Sequence, residues 1–134
     1  MKVGAVLKKS EKNLISNVNN PSISAEARQD LRNIQKYIGE EKESPITALK
    51  IIEKILNKIE SLIRLPNSGT LLSSKVKFPT NYRFKRESGY LIFYRYENNQ
   101  IFVDRIIHEK RNYIIILFPE MFLNNNVSNN ELEE

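Results

Sequence analysis

The chain has 134 residues, with 21 Lys and Arg against 16 Asp and Glu, a formal net charge of +5. That length supports one domain with its own core. There is no cysteine, which excludes disulfides, thiol catalysis and cysteine-held zinc. The single histidine, His108, leaves no conventional His-based metal site, and no cofactor is expected. No apolar run approaches the roughly 18 residues of a membrane span, and the N-terminus lacks the apolar core of a secretory signal. A cytoplasmic protein without membrane contact is expected.

Charge is unevenly spread. Residues 75–111 carry nine basic and four acidic side chains, whereas residues 22–64 carry eight and seven. The basic excess therefore falls on the second half of the chain, which suggests a polyanion or an acidic protein as partner.

Residues 1–21 read as an N-terminal arm with four Lys and one acid. Lys2 to Leu7 or Leu14 to Val18 is a candidate short strand, and Asn19-Asn20-Pro21 predicts a turn or break. Ser24 is an N-cap for a first helix, with Glu26 and Asp30 near its positive end. Ala27, Leu31, Ile34 and Ile38 repeat at helical spacing, and Gly39 is expected to end the helix or to lie just beyond it. Residues 40–43 form a charged connector. Ser44-Pro45 opens a second helix as cap and first-turn proline. Its stripe runs from Ala48 through Ile52, Ile55, Leu56 and Ile59 to Ile63, and it stops before Pro66. Asn67-Ser68-Gly69 is a turn, and Leu71 to Phe78 an irregular bridge.

Three strand-like runs follow, from Tyr82 to His108. A two-residue turn at Asn98-Asn99 predicts the pairs Tyr96–Ile101, Tyr94–Val103, Ile92–Arg105 and Tyr90–Ile107. That face is mostly Tyr, Ile and Val, so it is assigned to the core, with Arg105 as its misfit. The opposite face carries Leu91, Phe93, Arg95, Phe102, Asp104, Ile106 and His108, with Arg95 within reach of Asp104. A three-residue loop, Glu87-Ser88-Gly89, keeps Tyr82 and Phe84 on the core face and sets Arg83 and Lys85 beside Arg95. A two-residue loop would flip them into the core. Arg111 to Phe118 is a short helix or a further extended piece. The end, residues 119–134, is Asn-rich and acidic and reads as disordered. The fold class predicted is α+β: an antiparallel helical hairpin packed on one face of a small antiparallel β-sheet.

From residues 23 to 118 the chain resembles the RelE/ParE superfamily of bacterial type II toxin–antitoxin toxins. The resemblance rests on ISAEARQDLRNIQKYI, SPITALKIIEKILNKIESLIRLPNSG, YRFKRESGYLIFYRYE and DRIIHEKRNYIIILF, in that order. The helix stop at Leu65-Pro66 with Gly69, and the strand from Gly89 to Arg95, are its most specific pieces. Residues 22–118 are accordingly read as the toxin domain. The resemblance implies a growth-inhibiting toxin neutralised by a cognate antitoxin, with Phe93, Phe102 and Ile106 as exposed apolar antitoxin-docking points. It also implies one of two targets, DNA gyrase or messenger RNA on the ribosome. A metal-independent endoribonuclease of this kind would use Arg83 and Arg111 on the phosphate, Lys85 as base and His108 as acid. Arg83, Lys85, Arg95, His108, Lys110 and Arg111 would form the target-binding surface in either case.

The chain departs from the family in three places. Asn19-Asn20-Pro21 interrupts the usual first strand. His108-Glu109-Lys110-Arg111-Asn112 stands where the family often has His-Gly-Arg-Arg-Asp. Leu91, Ile116 and Leu117 occupy positions where the nuclease branch carries basic, tyrosine or histidine side chains. The gyrase-directed reading is therefore favoured, with the ribosome-dependent mRNA endonuclease as runner-up. A basic binding module without toxicity is a third reading.

Overall fold

Ser24 decides where the first helix begins. In the computed structural model, which describes residues 20–122, its hydroxyl accepts the Ala27 N–H at 3.0 Å and donates to the Asp104 carbonyl at 2.8 Å. The cap thus starts α1 (Ala25–Lys36) and ties it to the sheet at once. Just before it, β1 (Ser22–Ile23) pairs in parallel with residues 102 and 103. Among the described residues the first strand therefore follows the Asn-Asn-Pro break, while the candidate strands Lys2 to Leu7 and Leu14 to Val18 lie outside them. The arm up to residue 19 and the tail from residue 123 lie outside the described residues.

The α-helix ends at Lys36, so Gly39 lies just beyond it, the second of the two expectations. The chain continues through a π-helical turn, Tyr37–Glu41, and reverses at Glu43, whose φ is 51°. The second helix, α2 (Pro45–Ser61), opens on the predicted proline. Leu31, Ile34, Ile52, Ile55 and Ile59 meet Ile92, Tyr94, Ile101, Val103 and Ile106 of the sheet to form the main core.

Among the described residues the sheet has five strands in the order β1-β5-β4-β3-β2. Here β2 is Thr70–Leu71, β3 Arg83–Glu87, β4 Tyr90–Glu97 and β5 Gln100–His108. All neighbours but β1 and β5 are antiparallel. The Asn98-Asn99 turn has φ 53° and 59°, as the two-residue reading requires.

Two features overturn the predicted register. First, the β3–β4 turn has two residues, because Glu87 lies opposite Tyr90 while Ser88 and Gly89 both take positive φ, 54° and 83°. Such a turn matches the strand twist. Arg83 and Lys85 consequently lie opposite Tyr94 and Ile92, on the helix side, and Tyr82 and Phe84 move to the other face. The basic side chains avoid full burial because β3 lies near the edge of the sheet. Second, a bulge skips Asp104: Tyr94 pairs with Val103, but Phe93 pairs with Arg105. Beyond it every parity reverses. Ile106 enters the helix-side core, Ile107 crosses to the other face, and His108 stands opposite Tyr90.

The face predicted to be open and basic is instead covered. Leu72, Leu91, Phe93 and Ile107 form a second buried cluster. The strap after β2 contributes Leu72, which opens a 3-10 turn, and Val76. The short helix α3 (Tyr113–Leu117) closes it with Tyr113, Ile114 and Ile116. The rings of Phe93 and Tyr113 lie 5.3 Å apart.

Candidate interaction site

The predicted site residues fall into three separate groups. Arg83 is engaged by the loop before β2: its guanidinium donates to the carbonyls of Asn67 at 3.2 Å and Gly69 at 3.0 Å. The same loop is held from below by Tyr94, whose hydroxyl accepts the Gly69 N–H at 2.9 Å and donates to the Pro66 carbonyl at 2.8 Å. Arg83 therefore staples a loop. Lys85, opposite Ile92, makes no hydrogen bond or ion pair among the described residues.

Arg95 forms the second group. Its Nε lies 2.7 Å from Asp104 and its Nη1 2.8 Å from Glu97. The predicted Arg95–Asp104 contact is thus present, and the guanidinium also stacks 4.8 Å over the Phe102 ring. Tyr82 donates to the same Asp104 carboxylate at 2.7 Å. Burial, and then this carboxylate, push the Tyr82 phenol well above its ordinary pKa.

His108, Lys110 and Arg111 form the third group, at the other end of the sheet. The Lys110 N–H donates to His108 Nδ1 at 3.1 Å, which places the imidazole's own proton on Nε2 in its neutral form. The histidine ring also packs edge-on against Tyr90, 5.2 Å away. Glu109, which stands where the family often has glycine, reaches back to Arg86 with contacts of 2.6 and 3.0 Å. That pairing holds the Glu109 carboxyl below its usual pKa. Arg111 itself is exposed and makes no side-chain hydrogen bond or ion pair among the described residues.

Register gives the spacing between these groups. Arg83 lies opposite Tyr94, and His108 lies opposite Tyr90. Four residues of strand span about 13 Å, and β4 lies between the two partner strands. The set Arg83, Lys85 and Arg111 is not drawn into one cluster.

The apolar docking points also need correction. Phe93 and Ile106 are buried, one in each core, and do not stand exposed. Truncating a buried Phe costs about 3–5 kcal/mol, so a substitution at Phe93 reads out folding. Phe102 alone of the three is partly exposed, under Arg95. The exposed apolar side chains include Ile46, Leu65 and Ile115, none of which was expected as a docking point.

The sequence profile described as the ParE toxin of the type II toxin–antitoxin system parDE matches residues 22–113. The chain belongs to the ParE toxin family. Among solved structures it is similar to a chain of the chromosomal ParDE toxin–antitoxin system of P. aeruginosa, with a TM-score of 0.54 and 22% identity. The match covers 66% of this chain and 95% of that chain, and at this identity it bears on the fold alone. No curated protein matches by sequence. Among the described residues of this ParE-family chain, no helix is long and apolar enough to cross a membrane.

Proposed function

We propose that this ParE-family chain inhibits growth by binding an essential macromolecular machine, DNA gyrase in the first instance, and that a cognate antitoxin holds it inactive. The observation that supports this reading is the dispersal of the cations an RNase would need. Arg83 is occupied by two loop carbonyls, and Arg111 lies at the opposite end of β4. Cleavage at a 2′-hydroxyl needs base, phosphate clamp and acid within hydrogen-bond reach of one phosphate. A binding toxin needs only surface.

Primer extension on a reporter mRNA in a bacterial cell-free translation reaction tests this, paired with a gyrase supercoiling assay. Intact mRNA together with arrested supercoiling is the expected result. New ribosome-dependent 5′ ends would replace the reading by the endonuclease one. Intact mRNA with normal translation and unaffected supercoiling would favour the basic binding module.

A further inference from the structure

A cleft of about 420 Å³ opens on the helix side of the sheet, at the end where β4 begins and β5 finishes. Its apolar floor comprises Ile34 of α1 and Ile106 of β5, both buried. Tyr90, Tyr37, Asn33 and Arg111 line it as well. Its size lies within the usual range for ligand sites. Three observations indicate an occupant.

Tyr90 is only 8% exposed, yet its hydroxyl has no hydrogen-bond partner among the described residues. The phenol's donor is therefore unused, and it is available to an acceptor that enters the cleft. The cleft's charges are also one-sided. Asp30, its acid, is saturated by Arg105 and the Ile106 N–H, whereas Arg111 has no side-chain partner among the described residues. Finally, the helix departs from regular geometry where it meets this cleft: the π-helical turn starts at Tyr37 and leaves that ring 46% exposed. Single π turns inside helices recur at functional positions.

From this geometry we infer that the cleft binds an acidic segment of a protein partner, a carboxylate side chain flanked by an apolar one. The carboxylate would take the Arg111 fork and the Tyr90 hydroxyl, two donors of the cleft that have no acceptor among the described residues. The apolar neighbour would cover Ile34 and Ile106. A nucleic-acid backbone is the poorer fit, since it presents a row of phosphates to a single unpaired cation over an apolar floor. The inference rests on the reading above only in that a protein partner engages the chain. Its test is independent of the target assays, whose outcome leaves the titration unchanged.

The experiment is an amide-detected NMR titration of the full chain with a blocked tetrapeptide of alternating leucine and glutamate. Shifts concentrated at Asn33, Tyr37, Tyr90 and Arg111 are expected. A peptide with glutamine for glutamate should bind about tenfold more weakly or worse, as loss of a charge-assisted contact implies. Arg111→Ala should weaken binding as much, and Tyr90→Phe less, both with the free spectrum otherwise preserved. The inference is overturned by equal binding of the glutamine peptide, by shifts elsewhere, or by a short oligouridylate moving the same amides more strongly.

Discussion

Asp30 of α1 and Arg105 of β5, 75 positions apart, meet as a fork: Arg105 Nε and Nη2 lie 2.8 and 2.9 Å from the two carboxylate oxygens. The same carboxylate accepts the Ile106 N–H at 2.8 Å. Beyond β1, which pairs with residues 102 and 103, the outer edge of β5 has no strand partner among the described residues. Asp30 supplies there what a longer first strand would have supplied.

Breaking that fork should be costly. Asp30→Ala leaves a half-buried guanidinium and a buried N–H unpaired, and about 2–4 kcal/mol of stability should be lost in urea unfolding. The double variant Asp30→Leu with Arg105→Met should recover part of the loss, because it removes the stranded charge while the Ile106 N–H stays unpaired. A double variant no more stable than Asp30→Ala would show that the charge is not the cost.

Arg105 also marks where the sequence stopped being legible. The helices, the Ser24 cap, the Asn98-Asn99 turn and the Arg95–Asp104 pair were readable because each follows from local spacing, whereas Ser44 stands at the predicted place before α2 but makes no side-chain cap hydrogen bond. The bulge at Asp104 was not, since a strand's period of two carries no mark of one skipped residue. A misfit Arg on an apolar face was its one trace. Ser88 was likewise invisible as a positive-φ residue, because any L residue other than Gly, Asn or Asp rarely adopts that conformation. That single turn moved Arg83 and Lys85 to the helix side, and with them the presumed catalytic face. The cleft was missed for a different reason: Tyr90 and Ile34 read as core, and core they are, except for one unpaired hydroxyl.

Gly69 should not tolerate a side chain. A Cβ there would lie 2.5 Å from the Tyr94 hydroxyl and 2.6 Å from the ring carbon beside it. Gly69→Ala must therefore displace a buried ring or the loop that Arg83 staples, and a loss of about 1–3 kcal/mol is expected. Tyr94→Phe keeps the packing but strands the Gly69 N–H, at a cost of about 1–3 kcal/mol. Thermal melts of the two single variants check this. Near-wild-type stability in both would mean that the loop is not anchored through Tyr94.

Glu109 should titrate as a partnered acid. Arg86 lowers its pKa, so the pair stabilises the fold above the unfolded carboxyl value of about 4.3 and releases that contribution as pH falls through the lower folded value. Side-chain carbonyl NMR should find Glu109 among the last glutamates to protonate on acidification. In Arg86→Ala it should return to the ordinary range. An unmoved midpoint in that variant would dissociate the two groups. Both side chains face solvent, so added salt should also raise the Glu109 midpoint.

At high pH the tyrosines set the limit. Three of the six, Tyr82, Tyr90 and Tyr94, are held above the ordinary phenol value, each chiefly by burial. Asp104 raises Tyr82 further, and the Gly69 N–H partly offsets the effect on Tyr94. The folded state thus favours the neutral phenol. Its stabilising contribution is complete below the unfolded value of about 10 and is lost as pH rises from there toward the folded values. Absorbance titration in the near ultraviolet should show Tyr82, Tyr90 and Tyr94 ionising only as far-ultraviolet circular dichroism reports unfolding. Tyr82→Phe removes one late phenol and should flatten the fall of stability between pH 9 and 11. If Tyr82 ionised near 10 with the fold intact, the Tyr82–Asp104 contact would not exist in solution.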